Sequence, residues 1–87
     1  MAAKSTVKLT LKYPIEDIEP NVTELIVRRP KVKDQKAADN AGQGAAESEV
    51  ILFAALCNTS VQVIDEMDMK DYGDLQAIYE KMVGGKT

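Results

Sequence analysis

The segment VRRPKVKD, residues 27–34, gathers two arginines and two lysines around a proline in a chain whose formal net charge is −3. Clustered cations could hold phosphate or nucleic acid, or could simply mark where a strand stops. A second group, DEMDMKDYGD at 65–74, offers five carboxylates and a glycine. Counted from Asp68, the third, fifth and twelfth positions of a calcium loop fall on Lys70, Tyr72 and Tyr79. None of these is a carboxylate, so no calcium site is expected. The ending GGKT matches the end of a phosphate-binding loop, but Glu80 stands where that loop needs its first glycine.

Catalytic chemistry has equally little to work with. Histidine is absent, which removes the commonest general base and a usual metal ligand. The single cysteine, Cys57, lies in an apolar run and reads as a small buried thiol rather than a nucleophile. Asp65 and Glu66 are adjacent and would point in different directions on a helix. The expectation is a protein that is not an enzyme, with no catalytic residue, no metal and no cofactor.

The 87 residues are 45% apolar and 29% charged, a balance that folds and that allows one small domain. One cysteine and an N-terminal MAAKSTVKL without a long apolar run point to a reducing cytoplasm and no membrane span. Charge is unevenly placed. Residues 1–36 hold eight Lys or Arg against five Asp or Glu, and residues 37–87 hold three against nine. Such a polar chain can steer a charged partner or pair with copies of itself, while a pI near 4.8 argues against general nucleic-acid binding.

The elements that position these groups follow from periodicity. In TVKLTLKYP, Val7, Leu9, Leu11 and Tyr13 alternate with polar residues, the mark of a strand with one wet face, and Pro14 is expected to end it. NVTELIVRR supplies a second strand with Leu25 and Val27 on one face and Glu24, Ile26 and Arg28 on the other. The predicted fold is α+β: an N-terminal antiparallel β-hairpin over 6–29, packed against two to four C-terminal α-helices that cover its apolar face. A short helix is expected over 31–41, burying Val32, Ala37, Ala38 and Ala41. GQGAAE, 42–47, reads as a flexible loop. The helical part then spans 48–83 and a tail 84–87. Within it, Val50, Ile51, Ala54 and Ala55 form a stripe that Leu52, Phe53 and Leu56 widen. Val61, Ile64 and Met67 suit a short turn, and Asp68 with Asp71 resembles an N-cap followed by an acid in the third position. From about Lys70 to Val83, the positions Tyr72, Leu75, Ile78, Tyr79, Met82 and Val83 make an amphipathic stripe that should pack on the 50–58 helix.

This order of features resembles the small tail assembly chaperones of Mu-like and related contractile-tailed bacteriophages. The likeness covers most of the chain. It is carried by TELIVRRPKVKD at 23–34, similar to the family's strand, Arg-x-Pro and Asp sequence, and by MDMKDYGDL at 67–75, similar to its Leu-x-x-x-Asp-Tyr element. Met67 stands where the family more often has leucine, a volume-conserving change. The resemblance implies a non-enzymatic protein of the bacterial host cytoplasm that binds the phage tape measure protein, helps tail-tube subunits assemble around it, and is absent from the mature virion. It implies no membrane association.

Partner-binding candidates are the cations Arg28, Arg29, Lys31 and Lys33, together with Met67, Met69, Tyr72, Leu75, Tyr79 and Met82, although residues of these types taken singly are more often ordinary core or solvated surface. Arg28 is expected to pair with the acids of 65–71, within the chain or between copies, and Arg29 to share the core-facing phase at its edge. Pro30 and Asp34 read as a strand stop and an acid near the next helix start. The rival reading is a small regulatory or nucleic-acid-binding adaptor that uses the basic hairpin. No aromatic residue interleaves with those cations, as a single-strand platform requires.

Overall fold

The computed structural model describes residues 6–84. Two strands, β1 (Thr6–Ile15) and β2 (Val22–Arg28), form an antiparallel hairpin. Four helices follow: α1 (Val32–Ala41), α2 (Ala45–Leu56), α3 (Val61–Asp65) and α4 (Met69–Gly84). The architecture is the expected α+β arrangement. The expected tail lies outside the described residues beyond Gly84.

The hairpin departs from simple alternation at one place, and that place matters for the rest of the molecule. Pairing runs regularly from Thr6↔Arg28 to Thr10↔Glu24, then resumes at Ile15↔Val22. Between these points β1 carries extra residues that β2 does not match, so Leu11–Pro14 bulge away from the ladder. Pro14 therefore does not end the strand. It sits where no ladder N–H is required, and β1 continues to Ile15, which is buried. The bulge also explains why Tyr13, expected on the apolar face, is exposed while Ile15 takes the inward position. Leu9, Leu11, Leu25 and Val27 face the core as their spacing predicts, and Val7 is exposed.

Helix α1 buries Ala38 and, unexpectedly, Asp34. Val32 is 76% exposed because it precedes Asp34 by two residues and so projects from the opposite side of the helix. Ala37 and Ala41 are exposed as well. The next helix begins at Ala45, inside the stretch expected to be a flexible loop. Its two glycines tighten the junction: a Cβ on Gly42 would lie 2.8 Å from both Cα and N of Ser48, and Gly44 adopts φ +120° as the N-cap of α2. Glu47 accepts a hydrogen bond from the Gln43 N–H at 3.0 Å and closes the turn.

Helix α2 is the centre of the core. Leu52, Phe53, Ala54 and Leu56 are buried, while Ala55, expected on its stripe, is exposed. It ends as Asn58 enters the left-handed region at φ 51°, with the Thr59 N–H donating to Ala54 O and the Asn58 N–H to Ala55 O. Ser60 then caps α3 by accepting from the Val63 N–H at 3.2 Å. Val63, Ile64 and Met67 are buried there, whereas Val61 is exposed. The last helix packs on α2 as expected: Phe53 meets the rings of Tyr72 and Tyr79 at centroid distances of 5.6 and 5.4 Å, both tilted. Each such pair contributes about 0.5–1.5 kcal/mol beyond its burial. Leu75 is fully buried, but Val83 at the end of the stripe is exposed.

Candidate partner-binding surface

The basic turn is the first candidate, and most of its chemistry is used internally. β2 stops at Arg28, Pro30 turns the chain, and α1 brings Asp34 back beneath the arginine. The guanidinium donates from Nη1 and Nη2 to the two carboxylate oxygens of Asp34 at 2.9 and 2.8 Å, and Nη1 also reaches Arg29 O at 3.1 Å. Asp34 Oδ2 accepts in addition from the Lys31 N–H at 2.8 Å. That contact is half of a capping box, since Lys31 has no acceptor to return it. The Arg28 hydrogen bonds hold the Asp34 carboxyl down at about 2, and they raise Arg28 in turn. Within the chain, Arg28 thus pairs with Asp34 and not with the acids of 65–71. A partner six residues away closes a far shorter loop than one some forty residues on. Arg29 is exposed rather than at a core edge, because the strand's alternation ends with Arg28. Lys31 and Lys33 are exposed.

The acidic segment is likewise built into the fold. Asp68 Oδ2 accepts from the Lys70 N–H at 2.9 Å and caps α4. Lys70 pairs with Asp74 one turn on, a contact that raises the lysine. Asp71 is fully buried, and its two oxygens accept from the Lys12 and Tyr13 backbone N–H groups, both at 2.9 Å. These are amides of the β1 bulge, which the ladder leaves without a strand partner. One carboxylate therefore fastens α4 to the hairpin. Among the described residues, every buried side-chain nitrogen or oxygen has a hydrogen-bond partner.

A groove of about 470 Å³ lies between α1, α2 and the middle of α4. Half-buried Tyr79 supplies apolar surface over the buried Leu52, while Gln35, Asp39, Ser48 and Glu49 supply polar groups. Glu49 accepts from the Tyr72 hydroxyl and from Gln76 Nε2, which ties α2 to α4 beside the groove. Burial, reinforced by that bond to Glu49, holds the Tyr72 phenol well above its ordinary range. Ile78 and Met82 continue the half-buried stripe along α4. The Cys57 thiol is buried and pushed up to about 11 by loss of solvent, which leaves it unreactive.

A family model described as "Phage tail assembly chaperone proteins, E, or 41 or 14" matches residues 8–84. The chain belongs to this family. Comparison with curated proteins and with solved structures finds no match. Membership carries a role in phage tail assembly and implies that the role is non-enzymatic. No helix of the chaperone, among the described residues, is long and apolar enough to cross a membrane.

The residues singled out from sequence are thus scattered over the chaperone. Met67 and Leu75 are core and present no surface. Met69 is 79% exposed at the start of α4, away from the groove-lining residues. Tyr72, Tyr79 and Met82 are half-buried along one face of α4. Arg28 is held by Asp34, and Arg29, Lys31 and Lys33 lie exposed around the turn. Sequence reasoning missed the groove residues Gln35, Asp39 and Glu49, which carry no local pattern because three separate helices contribute to the site. It flagged Asp71 within the DY motif but not its attachment to β1.

Proposed function

We propose that this chaperone binds the long tape measure protein of the phage tail and keeps its apolar helical stripes covered until tail-tube subunits replace it. The observation that supports this reading best is the α1–α2–α4 groove, apolar at Leu52 and Tyr79 and acidic at Asp39 and Glu49. An amphipathic helix lays its apolar side chains into such a groove, and basic residues beside them meet the acidic rim. Tyr72, Ile78 and Met82 extend the contact surface, and the flexible thioether of Met82 adapts to varied side chains along a repetitive partner. Each contact is modest, so many copies act along one tape measure and tube subunits can displace them. The protein acts in the host cytoplasm and leaves before the virion is complete. The adaptor reading has less to use, because Arg28 is held by Asp34 and only Arg29, Lys31 and Lys33 remain as exposed cations in the turn.

Co-expression with a tape measure protein tests the proposal. The wild-type chain raises the soluble fraction of the tape measure and is captured with it, and the double change Asp39→Lys, Met82→Lys abolishes both effects without unfolding the chaperone. Failure of the wild type to solubilise or capture the tape measure would reject the reading. Capture that survives the groove changes but is lost on Lys31→Glu with Lys33→Glu would move the site to the basic turn.

A further inference from the structure

Among the described residues, the outer edge of β2 has no backbone partner. The sheet has only β1 and β2 among these residues, and the bulged part of β1 is occupied by Asp71, which takes the Lys12 and Tyr13 amides. Among the described residues, no backbone hydrogen bond from outside the hairpin reaches β2. Natural edge strands are commonly blunted by proline, a bulge or shortness. β2 runs Val-Thr-Glu-Leu-Ile-Val-Arg, seven residues with neither proline nor glycine, and the bulge lies on its neighbour.

The outward face of β2 reads Glu24, Ile26, Arg28, an acid and a base placed symmetrically about an isoleucine that is 46% exposed. We propose that the chain dimerises by antiparallel pairing of β2 with β2 of a second copy, about a two-fold axis through Ile26. In this register Ile26 meets Ile26 of the other copy, and Glu24 meets Arg28 on both sides of the axis. Leu25 comes opposite Val27 on the inner side, where each is already buried in its own core, and pairing stops where Val22 comes opposite Pro30.

The register is selective. Pairing must keep outward residues opposite outward residues, so the axis passes through a residue rather than between two. An axis through Leu25 would set Glu24 against Ile26, and an axis through Glu24 would set two carboxylates face to face. Only the Ile26 axis satisfies both charges. Each is prepared for it: Glu24 lies 3.6 Å from Lys8 on the same face. Arg28, after meeting Asp34 and Arg29 O, keeps its Nε–H and a second N–H of Nη2 without a partner among the described residues. The result is a four-stranded sheet with a Lys8, Glu24, Arg28, Asp34 ladder crossing each half of the interface.

Sedimentation of the purified chain over a wide concentration range, with no phage partner present, tests this independently of the function proposed above. The wild type is expected to dimerise, and Glu24→Lys, which replaces both opposed pairs with repulsion, to raise the dissociation constant about tenfold. Ile26→Cys is expected to form a disulfide-linked dimer on mild oxidation. Thr10→Cys, on the same outward face of β1, is expected to stay unlinked, and buried Cys57 serves as an internal control. A wild type that remains monomeric throughout, or Thr10→Cys linking as readily as Ile26→Cys, would overturn the proposal.

Discussion

Asp34 and Asp71 occupy the same position in two helices, the third residue of α1 and of α4, and both are buried. They work differently. Asp34 serves its own neighbourhood: its partners, Arg28 and the Lys31 amide, lie six and three residues away. Asp71 does not cap its own helix, because Asp68 already does so at the Lys70 amide. It reaches across nearly 60 residues of chain to the amides of the β1 bulge. The same residue in the same helical position is thus a local latch in one place and a tertiary bolt in the other. What decides between them is whether a nearer group has already satisfied the helix start, and whether a strand elsewhere has donors left over.

The comparison predicts a ranking. Asp71→Ala strands two amide donors at a buried site, and it should cost about 3–5 kcal/mol in urea unfolding, with Asp71→Asn intermediate because it keeps an acceptor. Asp34→Ala should cost less, about 2–3 kcal/mol, since the freed guanidinium is half exposed and can turn to water. Equal or reversed costs would break the distinction between bolt and latch. Acid sharpens it. The Asp34 carboxyl is held at about 2 against an ordinary 3.8, so its contribution is fully present above the ordinary value and disappears as pH falls through the lower one. Allowing for solvent screening of Arg28, roughly 1–2 kcal/mol should be lost across that window, and the loss should be missing from Asp34→Asn when unfolding curves are compared. The smallest change is Asp68→Ala, expected to remove about 1 kcal/mol as an ordinary N-cap. A cost matching that of Asp71→Ala would mean that capping, rather than attachment to β1, dominates the start of α4.

The same distinction explains what could be read from the sequence. Alternation gave the two strands and the inward faces of Leu9, Leu11, Leu25 and Val27, and helical spacing gave the packing of Tyr72 and Tyr79 on Phe53 and the burial of Leu75. Asp34 was legible as an acid at a helix start because its role is local. The bulge was not legible: Pro14 has a local preference for ending a strand, yet pairing resumes beyond it at Ile15, and the bulge amides find their acceptor at the distant Asp71. Gly42 and Gly44 read as slack, whereas Gly42 is the close approach that lets α2 start early. Composition alone cannot separate a loose glycine from a crowded one. The partner of Arg28 was misplaced for a related reason, since opposite charge was weighed without the shortness of the loop to Asp34. The groove, assembled from three helices, had no signature in any one segment.

The proposed function amounts to a division of labour in which charged residues at the helix starts hold the fold and the α1–α2–α4 face is the one offered to the partner. Hydrogen exchange of the chaperone, alone and bound to a tape measure fragment, tests it most directly. New protection over Gln35–Asp39, Ser48–Leu52 and Gln76–Met82, with Arg29–Lys33 unchanged, is the predicted result. Protection confined to Arg29–Lys33, with the groove segments unaffected, would contradict it.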